Sequence, residues 1–211
     1  VMSRVGFRHV GDEAAIYADG GTVALRDVVI DAQTVAPAIV MDGATLNAWE
    51  TVVTGAQSGI DITPGSGEPS RIDSVTLSGV ETPNNFGPRA IGLLVRSRRD
   101  YGRVEVTNSR ICGYSEGVAV EGASVSIEGS RICRSDKGLV PYNCDLTLLE
   151  SRVRARTIGL AAVSGRAVVR NNSFVGVLDV FYREYRANID ASGNRVWTDG
   201  PLCRPSYRPR Y

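Results

Sequence analysis

The chain is almost devoid of lysine: of its 24 basic residues only Lys137 is lysine, and the other 23 are arginine. Several of these cluster, in "VRSRRDYGR" and "CRPSYRPRY". The formal net charge is nevertheless only +1, so bulk electrostatics single out neither nucleic acid nor an anionic membrane as partner. No apolar run approaches the ~20 residues that a membrane-spanning helix needs, and no membrane insertion is expected. Histidine is confined to His9, and no two of the 4 cysteines have C-x-x-C spacing. A zinc site is therefore not expected, nor is any other metal or cofactor. A secretory leader is missing as well: the chain begins at Val1, as expected of a processed protein or one part of a larger bacterial protein.

Leucine is also scarce, whereas valine, isoleucine, threonine, serine and glycine (23 residues) are common. That balance favours strands and tight turns. No 10-residue window combines apolar residues at helical spacing with capping residues. The chain reads as all-β.

What is present is a repeat. "NSRICG", ending at Gly113, is echoed by "GSRICR", ending at Arg134, 21 residues later. The register extends well beyond that pair. Val104, Val106, Ser109 and Ile111 are followed at the same step by Val125, Ile127, Ser130 and Ile132, then by Leu146, Leu148, Ser151 and Val153, then by Ala167, Val169, Asn172 and Phe174. A step of 22 leads to Ile189, Ala191, Asn194 and Val196. Earlier turns carry the same template with longer spacers. Each turn also holds a second block, such as "GVAVEG", "GLVPYN", "GLAAVSG" or the earlier "AIVMDG" and "AIGLLV". A period near 21 with two or three short strands per turn is the signature of a parallel β-solenoid. Equivalent residues should stack about 4.8 Å apart, with inward apolar ladders and outward polar ones, in a rod of about nine turns and roughly 40 Å. Hairpin signals, which a β-sandwich would need, are limited to Asp19-Gly20, Asp42-Gly43 and Asp199-Gly200.

The pattern "V.V.NSRI.G...GV.V.G", with "VVRNNSF" and "DASGNRV" as later versions, resembles the right-handed parallel β-helix of the pectate-lyase-like superfamily. The resemblance covers nearly the whole chain and implies architecture. It leaves activity open, because that superfamily includes lyases, hydrolases, epimerases, tailspikes and non-catalytic domains. The "DPHE"-type motif of mannuronan epimerases, the "NTD…DD…GHG…RIK" blocks of polygalacturonase-like hydrolases and a calcium-binding Asp cluster at one-coil spacing are all missing.

Two groups are candidates for ligand binding. Arg110, Arg131 and Arg152 share one outward register position, and guanidinium groups one coil apart repel unless an anion lies over or between them. They read either as a groove for an anionic polymer such as a uronate polysaccharide, or as an exposed ladder offset by Glu105, Glu128 and Glu150. The second group is the long loop at 80–103, where Arg89, Arg98, Arg99 and Tyr101 lie close to the ladder in sequence. There an arginine could neutralise a uronate carboxylate and a tyrosine could serve as base. His9 with Asp12 and Glu13 is either an acid/base group or polarity capping the end of the coil. Asp61 and Asp179 read as isolated carboxylates, with no obvious partner across a cleft.

Cys112 and Cys133 hold the same register one coil apart, which places their Cα atoms near 5 Å, inside the disulfide window. A second bridge between Cys144 and Cys203 would pin the Pro-rich C-terminal cap, 197–211, over the final coils; the alternative is free buried thiols. Bridged cysteines imply an extracytoplasmic address: periplasm, cell surface or secretion. At the N-terminus no capping helix precedes Val5, so a preceding domain or another subunit is expected to cover that end. The sequence is thus expected to form one β-helix domain over 1–211. It is expected to act as a non-catalytic binding module, with an anionic polysaccharide or a protein as partner. The alternative is a lyase or epimerase with its site at the turn-four loop.

Overall fold

The computed structural model describes residues 1–65, 67–80, 89–97 and 102–197, and for Tyr185 the main chain only. Among these residues twenty strands join one sheet, and their pairing is parallel throughout. Among the described residues there is no helix. The chain winds into a β-solenoid with three faces. Strands such as Thr45–Trp49, Arg103–Thr107 and Ser124–Glu128 stack in the first face. Short strands such as Val52–Thr54, Thr76–Ser78 and Arg110–Cys112 make the second. The third contains Pro37–Asp42, Ser58–Thr63, Ile91–Arg96 and Glu116–Glu121. Eight complete coils result, and a ninth is begun by the end of Asp179–Ser192 and by Arg195–Trp197.

Each face contributes an inward ladder. Leu25, Ala48, Ile72, Val106, Ile127, Leu148 and Val169 stack on the first, and Ile30, Val53, Leu77, Ile111, Ile132, Val153 and Phe174 on the second. Ile39, Ile60, Leu93, Val118, Leu139 and Leu160 fill the third. All are at most 2% exposed, so the β-branched composition is explained by period-2 burial along three stacked rows.

The corner between the first and second faces explains the repeated "NS", "GS", "ES", "NN" and "GN" pairs. Its first residue has positive φ in successive coils: 49° at Asn108, 58° at Gly129, 47° at Glu150, 56° at Asn171 and 65° at Gly193. One left-handed residue turns the chain sharply, and Asn and Gly tolerate it best. Its second residue points inward and caps the corner of the preceding coil. The Ser109 amide donates to Ser130 Oγ (3.1 Å), the Ser130 amide to Ser151 Oγ (3.1 Å), the Ser151 amide to Asn172 Oδ1 (2.8 Å) and the Asn172 amide to Asn194 Oδ1 (2.9 Å). Each serine hydroxyl in turn donates to the carbonyl two residues back, as Ser151 does to Leu149 at 2.7 Å. A polar ladder thus satisfies main-chain groups that the turn removes from the sheet.

Glycine on the third face marks where the coil is narrowest. A Cβ on Gly138 would lie 2.4 Å from Val153 Cγ1 and 2.5 Å from the Gly159 carbonyl oxygen, and Gly117 and Gly159 are equally confined. The first coil leaves Met2, Val5 and Val10 exposed, and the last leaves Val196 and Trp197 exposed.

Candidate functional site

The second face displays the arginine ladder. Arg110 pairs in register with Arg131, and Arg131 with Arg152. All three side chains are exposed. Each follows a buried Ser of the corner ladder, so its Cα is held on both sides: by the Ser hydrogen bonds before it and by the inward Ile or Val after it. Two residues further along the strand, Cys112 and Cys133 form a disulfide with a Cα–Cα distance of 4.5 Å, tying two of the three coils together.

Of the other described arginines, eight meet carboxylates, whereas Arg26, Arg166, Arg183, Arg186 and Arg195 form no ion pair among the described residues. Arg71 meets Glu105 at 3.4 Å, Arg156 meets Asp136 at 3.6 Å, and Arg170 meets Asp190 at 2.9 Å. The ladder stacks three such arginines in register: among the described residues Arg110, Arg131 and Arg152 make no ion pair. Of the glutamates expected to offset them, Glu105 is engaged by Arg71 and by Arg103 (3.9 Å) on the first face. Glu128 and Glu150 form no ion pair among the described residues. Desolvation, and then repulsion from Arg110, Arg152 and Arg154, lowers the pKa of Arg131 from the usual arginine value. The guanidinium stays charged all the same. The result is a fixed row of like charges without internal counterions.

The other expected site residues are not gathered here. Arg89 ion-pairs with the buried carboxylate of Glu116, which Lys137 also approaches at 3.8 Å. That cluster occupies the corner between the second and third faces, at the far end of the second-face strand from Arg110. Arg98, Arg99, Tyr101 and Cys203 lie outside the described residues, as do half of the turn-four loop and the tail beyond Trp197. Within the span 80–103, Ile91–Arg96 is a regular third-face strand. Cys144 is an unbridged thiol, 3% exposed, whose pKa is pushed up to about 12, chiefly by burial and secondarily by Asp145. His9 stacks on Ala32 over the open end of the core, with its Nε2 buried and without a hydrogen-bond partner among the described residues. Among the described residues no group of three metal-ligating side chains occurs.

One cluster is missed by the sequence reading. The carboxylates of Asp42, Asp61 and Glu121 line a single groove of about 610 Å³ on the third face, together with Arg96, Tyr17 and Tyr142. Asp61, 8% exposed, ion-pairs with Arg96 from the next coil. The signal lies in the third-face columns: Val95 stacks on Ile62, so Arg96 stands over Thr63 and beside Asp61. Those residues are 35 apart in sequence, and the 21-residue step does not align them.

No protein-family model matches the chain, and neither the curated proteins nor the solved structures include a significant match. Among the described residues no helix is long and apolar enough to cross a membrane.

Proposed function

We propose that the solenoid is a non-catalytic binding module that holds an anionic polysaccharide against its second face, with Arg110, Arg131 and Arg152 as the contacts. The observation that carries this reading is the in-register stacking of three exposed arginines that make no ion pair among the described residues, a row of like charge that an anionic chain would offset. Planar guanidinium groups donate bidentately to carboxylate or sulfate oxygens. Their spacing of about 4.8 Å is comparable to the rise of one sugar in an extended uronate chain. A rigid ladder presents them without loss of backbone freedom on binding. The resemblance of the repeat to pectate-lyase-like proteins agrees with a polysaccharide ligand. The Cys112–Cys133 bridge supports an extracytoplasmic setting, where such ligands occur.

The test is titration of galacturonate oligomers into the protein and into a variant carrying Arg110→Ala, Arg131→Ala and Arg152→Ala. Removing three exposed charge pairs is expected to weaken binding at least about tenfold. No ultraviolet absorbance from unsaturated products should develop on prolonged incubation. Unchanged affinity in the triple variant would remove the ladder from the account, and product formation would show the domain to be an enzyme.

A further inference from the structure

The groove on the third face has a chemistry opposite to that of the ladder. From it we infer a second saccharide site, specific for chains that carry no acidic groups and independent of the arginine face.

The shape comes first. Tyr17 belongs to the first coil and Tyr142 to the sixth, five inter-strand steps apart. At about 4.8 Å per step the groove runs roughly 24 Å along the solenoid axis. A channel of that length holding about 610 Å³ is narrow, and suits a linear oligomer better than a compact cofactor.

Charge selects the class of oligomer. Among the described residues, Asp42, Asp61 and Glu121 set three carboxylates in the lining against one guanidinium, that of Arg96. The ion pair neutralises Asp61 and Arg96 mutually, whereas Asp42 and Glu121 make no ion pair among the described residues. A uronate chain laid here would meet an excess of negative charge among the described lining residues. Hydroxyl groups, or the ammonium groups of amino sugars, would instead donate to it.

The polar groups are also preorganised. Asp61 is nearly buried and locked to Arg96, so acceptor and donor stand side by side before any ligand arrives. A vicinal diol matches that arrangement: one hydroxyl donates to a free lone pair of Asp61, and its neighbour accepts from Arg96. Asp42 and Glu121 are half-buried, and Asp42, Thr63, Arg96 and Glu121 follow one another in a single column along the coils. Acceptors therefore recur along the groove. Tyr17 is 64% and Tyr142 54% exposed. Exposed rings on rigid strands offer flat apolar faces, of the kind that the C–H face of a pyranose covers.

The test uses the folded 211-residue chain on an array of hexamers of glucose, mannose, xylose, N-acetylglucosamine, glucosamine and galacturonic acid. Affinities for any hexamer retained are then measured by calorimetry. At least one non-acidic hexamer is expected to bind, and the glucosamine arm against the neutral arms shows whether ammonium or hydroxyl groups are preferred. Tyr142→Ala and Glu121→Gln should each lower that affinity about tenfold. Tyr17→Ala, at an exposed position in the first coil, provides a third reading should either variant lose its thermal transition. The triple arginine variant should bind the same hexamer as the parent does, even if its galacturonate binding is lost. The inference is overturned if no non-acidic hexamer binds, or if binding is unmoved by the groove variants.

Discussion

Asn172 is the residue at which the polar corner ladder is most exposed to test. It is 1% exposed and sits in the position that Ser109, Ser130 and Ser151 hold in earlier coils. Its Oδ1 accepts from the Ser151 amide at 2.8 Å, and its Nδ2 donates to the Leu148 carbonyl at 2.9 Å and to Asn194 Oδ1 at 3.0 Å. Replacement by leucine preserves bulk but leaves the buried Ser151 N–H without an acceptor. An orphaned buried donor costs about 1–3 kcal/mol, and each further lost bond about 1 kcal/mol, so Asn172→Leu is expected to cost about 2–4 kcal/mol. Asn172→Ser should behave differently. Its hydroxyl can take the Ser151 amide, as Ser151 Oγ takes that of Ser130, and can donate to the carbonyl two residues back. The expected cost is then about 1 kcal/mol. Urea unfolding followed by far-ultraviolet circular dichroism measures both; with a slope of about 2–3 kcal/mol/M the leucine variant should unfold about 1 M earlier than the parent. Equal losses in the two variants, or none in the leucine variant, would refute the claim that a main-chain donor is what this position serves.

Three further outcomes follow from the coil. Gly138→Ala should destabilise by about 2 kcal/mol or more, because its Cβ would press on Val153 and the Gly159 carbonyl oxygen; Gly67→Ala, with nothing within 4 Å, is the control, and thermal melting of both decides it. Cys112→Ser with Cys133→Ser should cost about 3 kcal/mol, the loop-entropy expectation for a bridge spanning 21 residues, measured as the shift in urea midpoint between the bridged and serine proteins. Tyr114 keeps a buried hydroxyl without a hydrogen-bond partner among the described residues, and burial raises its pKa above the ordinary tyrosine value. Because the folded pKa is the higher one, its contribution is present below the unfolded pKa of about 10 and is lost as pH rises beyond it. Tyr114→Phe should therefore be neutral or stabilising by about 1 kcal/mol near neutrality, with a shallower loss of stability above pH 10, as read from melting temperature against pH.

Much of the fold is legible because the later coils repeat without insertions. Over Val104 to Phe174 the register places Ser109 and Ile111 inward, Arg110 outward and Cys112 opposite Cys133, as the structure does. What that register could not reveal depends on faces rather than steps. Glu105 looks like a counterion for Arg110 in sequence, but it lies on the neighbouring face, where Arg71 and Arg103 engage it. The glycines of the second block recur in sequence without a stated cause, and the structure supplies it: Gly138 and its equivalents are required by close approach inside the coil. Asp61 reads as isolated because its partner Arg96 lies beyond an insertion, and only the stacking of Ile62 and Val95 brings the two together.

The central claim is that three particular guanidinium groups hold an anionic chain. Arginine-selective dicarbonyl labelling, read by peptide mass spectrometry with and without a galacturonate decamer, addresses it directly. Protection is predicted at Arg110, Arg131 and Arg152, while Arg26 and Arg166, which are exposed on the first face, label as before. Unchanged labelling of the three ladder arginines at a saturating decamer concentration, or equal protection of all five, would contradict it.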